Sequence, residues 1–352
     1  MALSFIKRDS RKKREQMLAI DLGARSTKAV LLQRRGNRFA LSGYSILDTP
    51  IFEKVMSAEL LSEHLRNIVQ AMQAKGKPVA ITVGVEDAIV RHVEMPPMPP
   101  EDIRMILKNS PRVYLQQDLS GYVFDSHTAL PANGSPAKEP NQKSKVLIAG
   151  TKDQIINNYV AASKNAGLVP DHIVPSILGP VNAFELAMPE AFASETFALV
   201  DIGFKSSSIS ILKCGELLLN RVVSIGGDRL TSGLSEAMNI SYAEAEGIKV
   251  GMPAEVEAQL DTLISPLARE LRASIDFFEH QQETTLPMVY VSGGSARSEF
   301  IVQTLRREIA IECKTWNPVT GLQLALPPAQ ASEVEHVAPQ LSVAIGAALT
   351  AI

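Results

Sequence analysis

At 352 residues the chain is longer than one compact core usually needs, so two or more lobes are expected. It is 45% apolar and 21% charged with a formal net charge of −3, which suits a globular protein and argues against broad nucleic-acid binding by bulk charge. Two distant cysteines, Cys214 and Cys313, and six scattered histidines argue against a disulfide framework or a Cys- or His-built metal centre, and no apolar run of about 18 residues predicts a membrane span.

Residues 7–14 (KRDSRKKR) form a basic arm, read either as a solvated leader or as a weak contact for anionic lipid or an acidic partner. No apolar segment follows the arm, so no secretory signal is expected and a cytoplasmic location fits. Order begins at Met17. An apolar run at 18–21, a second at 28–33, a turn at Arg35, Gly36 and Asn37, and a third run at 39–45 predict a β-meander. Residues 58–75 read as an amphipathic helix and 78–85 as a strand. The texture then changes: a cluster of prolines (96, 97, 99, 100) precedes a helix at 101–109. A loop at 130–145, a strand at 146–150 and a helix at 152–166 complete what reads as a small inserted α+β unit.

After Pro189 the opening pattern returns. Residues 198–212, ALVDIGFKSSSISIL, overlay residues 18–32, LAIDLGARSTKAVLL, without a gap, so that Asp201 meets Asp21, Gly203 meets Gly23 and Ser206 meets Ser26. A repeat of this kind predicts two lobes built on one plan and facing each other across a cleft. Each copy joins apolar strands through an Asp-x-Gly turn and hydroxyl side chains. The glycine lets backbone N–H groups approach an anion, the hydroxyls donate to phosphate oxygens, and the carboxylate suits hydrated Mg²⁺. Lys28, present in the first copy alone, adds a positive charge for the terminal phosphates. A single Asp-x-Gly would read as an ordinary hairpin turn; two matched copies argue for a triphosphate clamp. A strand running into Gly293, Gly294 and Ser295 is a candidate nucleoside seat. Glu246 and Lys249, three apart on one helical face, are either a surface ion pair or contacts to ribose and base.

These segments resemble the motifs of the actin-like ATPase superfamily: residues 18–30 the first phosphate motif, 198–212 the second, and VYVSGGSAR at 289–297 the adenosine motif. PSILGPVNA (175–183) and SVAIGAAL (342–349) are similar to its two connecting helices, whose small residues let the lobes cross closely. Within the superfamily, MPPMPPEDIRMILKNS (95–110), SIGGDRLT (224–231) and AEAEGIK (243–249) resemble the PilM family of type IV pilus assembly proteins. The chain stops at Ile352, without the linker and amphipathic helix that end FtsA, which favours PilM over FtsA.

The resemblance implies an α/β actin-like ATPase fold, two lobes of duplicated mixed-sheet domains flanking a nucleotide cleft, with an FtsA/PilM-type 1C subdomain inserted in the first. The implied boundaries are an arm at 1–16, a first lobe of 17–85, 168–192 and 337–352, an insert at 86–167 and a second lobe at 193–336. It implies ATP with Mg²⁺ in the cleft. Asp21 and Asp201 would hold the metal through water. Gly23, Ser26, Thr27, Lys28, Gly203, Ser206 and Ser207 would hold phosphates. Gly293, Gly294 and Ser295 would line the adenosine seat, with Glu246 and Lys249 near ribose and base. It also implies docking, around residues 81–122, of the cytoplasmic N-terminal tail of a PilN-like inner-membrane protein. Other pilus assembly proteins and self-association complete the partners, and recruitment to the inner membrane would run through them.

Two departures qualify the carry-over. Arg25 stands where the family usually has a small residue, which alters the expected approach to phosphate. In the first connecting helix only Ser176 and Asn182 are candidates to orient water, and neither is a good base, so slow or absent turnover is expected. A small-molecule kinase of the same superfamily would need an acceptor-site carboxylate, and residues 80–100 and 175–190 are read as offering no such Asp. An FtsA-like filament-forming division protein is the other alternative.

Overall fold

The computed structural model describes residues 1, 3–6, 14–51, 56–128 and 144–352. Most of the basic arm and of the loop at 130–145 therefore lie outside the described residues; Arg14, at the arm's end, pairs with Asp171 at 2.5 Å.

The first lobe opens with a meander of β1 (Gln16–Leu22), β2 (Ser26–Arg35) and β3 (Arg38–Asp48), followed after a helix by β4 (Pro78–Val83). The insert carries β5 (Ala88–Met95), β6 (Tyr122–Thr128) and β7 (Ser144–Lys152), and the chain returns through β8 (Val169–Pro175). The second lobe repeats the meander as β9 (Thr196–Ile202), β10 (Ser207–Lys213) and β11 (Glu216–Val223), then adds β12 (Met288–Ser292) and β13 (Glu312–Thr315); β14 (Gln323–Leu324) closes the list. The sheet orders are β14-β3-β2-β1-β4-β8 and β11-β10-β9-β12-β13. Leaving out the edge strand β14, the two are the same five-strand plan, with antiparallel meanders and parallel additions. The duplication reaches even the irregularities. The ladder slips between Leu31 and Leu32 in the first lobe and between Ile211 and Leu212 in the second, the same two positions of the overlay.

The central strands β1, β4, β9 and β12 are buried on both faces, so they read as continuous apolar runs and demand helices on either side. The helix Ala58–Ala71 begins at Ser57, whose side chain accepts from the Leu60 N–H, and buries Leu61, Leu65 and Ile68 against the first sheet. It ends four residues earlier than the pattern predicts, where Gln73 takes a positive φ. The helix Asp153–Asn165, assigned to the insert by composition, packs on Ala58–Ala71 and shares its core through Ala162. The third sheet, β5-β7-β6, has a core of its own with the helix Pro100–Asn109, built on Met95, Ile103, Leu107 and Phe124. Most of the second lobe's helical layer, of which Glu257–Gln282 is the longest part, has no counterpart among the elements expected from sequence.

Between the lobes cross the helices Gly179–Ala187 and Ser342–Ala351. A Cβ on Gly346 would lie 1.8 Å from the Gly179 carbonyl oxygen, and one on Gly179 would lie 2.6 Å from the Val343 Cα. Only glycine permits two backbones to meet this closely. Phe184 of the first helix then stacks into Phe197, Tyr290 and Trp316 of the second lobe, with ring centroids 4.6 to 5.2 Å apart. The crossing puts the tips of the two hairpins on one cleft.

Candidate functional site

Strand pleat decides which side chains of each hairpin face that cleft, because successive residues point to opposite faces. Asp21, Gly23, Ser26 and Lys28 of the first hairpin and Asp201, Gly203 and Ser206 of the second line one cavity of about 1260 Å³. Further along the same wall come Glu246, Lys249, Gly293, Gly294 and Ser295. Twelve of the fourteen residues assigned from sequence are thus brought together.

Two are not. Thr27 turns behind the hairpin, its Oγ1 2.8 Å from His64 Nε2 and 3.0 Å from Thr49 Oγ1. Ser207 is fully buried and donates to the Ile225 carbonyl at 2.6 Å. Both sit one step out of phase with the cleft-facing set. Ser208, on the cleft side and paired in the overlay with Lys28, was missed, although period-two alternation from Ser206 points to it.

Asp21 is buried and Asp201 half-buried, and hydroxyls prop both. Asp21 accepts from Thr82 Oγ1 at 3.0 Å and lies 3.8 Å from Lys28 Nζ. Asp201 accepts at Oδ1 from both Ser292 and Ser342, at 2.8 and 3.1 Å. Burial pushes both acids above the usual carboxylate range. The Lys28 charge and the Thr82 hydrogen bond pull Asp21 part of the way back. For Asp201 the Ser292 bond opposes burial, and the negative charge of Asp21 pushes it up further. Two carboxylates that feel each other in one cleft are a donor set for a hard divalent cation, which relieves their repulsion. Among the described residues no three His, Cys, Asp or Glu side chains cluster to hold a metal by themselves. An ion here would keep water and ligand oxygens, which suits Mg²⁺ with a phosphate.

Glycine shapes the rest of the cradle. Gly293 has φ +94°, donates to the Pro339 carbonyl at 2.8 Å, and has no room for a Cβ, which would meet the Ile202 oxygen at 2.4 Å. The second hairpin is tied to the start of the helix Gly227–Met238 through Gly227 N–H to Gly203 and Asp228 N–H to Phe204, both 2.9 Å.

Glu246 and Lys249 stand on the helix Tyr242–Gly251, which starts with a capping box of Ser241 and Glu244. They are not a surface pair, since Lys249 is buried. Its Nζ reaches Glu246 Oε2 at 2.7 Å and Thr231 Oγ1 at 2.6 Å. Burial raises the Glu246 pKa, but the bonds from Lys249 and Thr231 and the charges of Lys249 and Arg25 outweigh it, so the group is held ionised below the ordinary value. Arg25 does not enter the phosphate floor. It crosses the mouth, with Nη1 3.2 Å from Glu246 Oε1 and its guanidinium carbon 5.4 Å from the centroid of Phe204.

Of the two water-orienting candidates, Ser176 lines the cavity while Asn182 is turned away. Asn182 accepts from the Met1 amine at 2.6 Å and donates to Thr350 at 2.8 Å. Contrary to expectation, residues 80–100 do offer an acid here: Asp87, with Glu86, lines the first-lobe wall. Tyr159 stands beside it: burial, then the charges of Asp87 and Asp21, push its hydroxyl pKa up.

A family model described as type IV pilus assembly protein PilM matches residues 19–352. A solved PilM-PilN type IV pilus biogenesis complex superposes with a TM-score of 0.80 over 96% of this chain and 98% of that one, at 21% identity. MreB5 of Spiroplasma citri bound to ADP gives 0.53 over 95% of each chain at 11% identity. The cell division protein FtsA of Bacillus subtilis (strain 168) is 32% identical over 103 residues, which is 29% of this chain and 22% of the length of that relative. The architecture is the actin-like ATPase fold.

Proposed function

The chain belongs to the PilM family of type IV pilus assembly proteins, and from that premise we propose that it is an ATP-binding scaffold which docks the cytoplasmic tail of a PilN-like inner-membrane protein. The observation that carries the nucleotide half is the meeting of Asp21, Lys28 and Asp201 in one cleft from two separately folded hairpins. In this reading Asp21 and Asp201 hold Mg²⁺ through water. Ser26, Lys28, Ser206 and Ser208 face the phosphates, and the turn at Gly293 and Gly294 takes the adenosine. Bound metal supplies charge neutralisation between the acids and the phosphates. Turnover is slow or absent, because the first connecting helix and the turn Ser176–Leu178 that leads into it offer only the hydroxyl of Ser176 to the cavity, and a hydroxyl is a weak base. Nucleotide then acts by mass action, favouring the closed arrangement of the lobes.

The inserted unit is the docking lobe in this reading. On the helices Pro100–Asn109 and Pro111–Leu115, Met105 and Val113 are 58% and 71% exposed, an apolar surface suited to a short peptide. No helix among the described residues is long and apolar enough to cross a membrane, so membrane attachment would come through such partners.

Titration with a fluorescent ATP analogue tests the first half. Wild type binds with Mg²⁺, more weakly without it, and Asp21→Ala loses the metal dependence; equal binding in all three arms refutes the cleft as described. Binding of a synthetic N-terminal tail peptide tests the second half. Met105→Glu with Val113→Glu abolishes it, whereas Asp21→Ala leaves it intact.

A further inference from the structure

Arg25 is a positively charged side chain on the first hairpin whose polar partner is on the opposite lobe. Its Nη1 lies 3.2 Å from Glu246 Oε1, and its guanidinium covers Phe204 at the tip of the second hairpin. The contacts leave the two Glu246 oxygens with separate duties. Oε2 is taken by Lys249 and Thr231, at 2.7 and 2.5 Å, both from the second lobe, while Oε1 faces Arg25 from the first. Glu246 is thus fixed within its own lobe by one oxygen and presents the other to its opposite number. The backbone that carries Phe204 is tethered as well, because its carbonyl accepts from the Asp228 N–H at 2.9 Å. A carboxylate held by its own lobe and a ring on a tethered backbone, met by a guanidinium from the other jaw, form a receptor for that single side chain.

We propose that Arg25 is an interlobe clasp, a positioning residue that holds the mouth of the cleft shut and must let go each time a ligand enters or leaves. The proposal rests on the nucleotide reading only for the identity of that ligand; the clasp itself is a property of the protein alone. The ion pair joins the tip of the first hairpin to the helix Tyr242–Gly251 of the other lobe, and the ring contact joins it to the tip of the second hairpin, so opening the lobes breaks both whatever else stays packed. Its geometry also accounts for an arginine at this position. Lysine would supply the charge but not the flat group that lies on Phe204 while reaching Glu246. The side chains are 46% and 23% exposed, so the contact is worth what a half-exposed ion pair is worth, a several-fold effect and not an absolute lock.

Hydrogen exchange on the full chain, without nucleotide, reads the clasp directly. Arg25→Ala is expected to speed exchange at the two tips, residues 22–26 and 203–207, by about two- to fivefold, while the sheet cores stay unchanged. Glu246→Gln should do the same, and the double variant should exchange no faster than the faster single one, since one contact is lost only once. Stopped-flow with the fluorescent ATP analogue and Mg²⁺ supplies the second arm. In Arg25→Ala both association and dissociation should rise about two- to fivefold, with the ratio changing less than either rate. Arg25→Lys should fall between wild type and Ala. Unchanged tip exchange in Arg25→Ala, or additive effects in the double variant, overturns the clasp. If wild type binds no nucleotide while tip exchange still responds, the nucleotide reading fails and the clasp stands.

Discussion

The two hairpins share a frame and divide the labour. Both place an aspartate at the end of a buried strand, a glycine at the turn, a cleft-facing serine one residue before the return strand or at its start, and a ladder slip five residues on. What differs is charge and bracing. The first carries Lys28 3.8 Å from its aspartate and is braced from behind by Thr49, whose hydroxyl donates to the Gly23 carbonyl at 2.7 Å. The second carries the neutral Ser208 in that place, props its aspartate with Ser292 and Ser342, and is tied by backbone to the start of a helix. The lesson is that the fold fixes where a group points, while single substitutions decide which jaw supplies charge. Lys28 is the cation whose charge both aspartates feel, and it comes from the first jaw alone at this position of the overlay, because Ser208 stands there in the second.

The contact that lets the two halves share a cleft is where the comparison breaks most easily. Gly346→Ala puts a methyl group 1.8 Å from the Gly179 carbonyl, and no rotamer relieves a Cβ. The crossing helices must separate, at a cost of about 3 kcal/mol or more. A urea midpoint shows the loss, and nucleotide binding should weaken with it because the jaws no longer meet in register.

The asymmetry itself is sharpened by matched substitutions. Lys28→Met removes the one cation of the pair and should cost about 2 kcal/mol of ATP-analogue affinity, whereas Ser208→Ala, at the same place in the other hairpin, should cost about 1 kcal/mol or less. Equal losses in calorimetric titrations would mean that the hairpins act as equals and that Lys28 does no special work.

Much of this was legible in the sequence, and the reasons are specific. The overlay of 18–32 on 198–212 is gapless because both copies need the same alternation of buried residues around the same turn, so it gave Asp21, Asp201 and the two-lobed plan together. The small residues at Gly179 and Gly346 announced a close crossing for the same steric reason the structure shows. Pleat was the step not taken: Thr27 and Ser207 are hydroxyl residues in the motif, but a strand gives only every second one to the cleft. Arg25 and Asn182 could not be placed from sequence, because their partners, Glu246 and the Met1 amine, are 221 and 181 residues away along the chain. The props Thr82, Ser292 and Ser342 carry no motif of their own, since any hydroxyl arriving from a neighbouring strand or helix would serve.

The aspartates offer a smaller and opposite effect. Both are held above the ordinary carboxylate range, so the folded protein binds their protons more tightly than the unfolded chain does. The penalty is therefore absent at low pH. It grows as pH climbs past the unfolded value and is complete above the folded one. Asp201→Asn, which keeps an oxygen for Ser292 and Ser342, should raise metal-free stability at neutral pH by about 0.5–2 kcal/mol while removing Mg²⁺-dependent nucleotide binding. The gain over wild type should shrink as pH falls through the folded-state value, which thermal melts at several pH values would follow.

The finest test concerns the residues that face away. Thr27→Val strips a hydroxyl from between His64 and Thr49, and Ser207→Ala takes the donor from the Ile225 carbonyl. Each should cost about 1 kcal/mol of stability. Neither should change ATP-analogue affinity by as much as twofold, because Thr49 still holds the Gly23 carbonyl directly and the cleft-facing serines keep their places. The test is demanding because each residue touches, in sequence, one that the cleft uses: Thr27 lies between Ser26 and Lys28, and Ser207 between Ser206 and Ser208. If Thr27→Val weakened binding as Lys28→Met does, the hairpin would have to present successive residues to one face, which an extended strand cannot do without a bulge at that point. The ladder pairs Asp21 with Lys28 and Leu22 with Thr27 in unbroken register, so no such bulge is present.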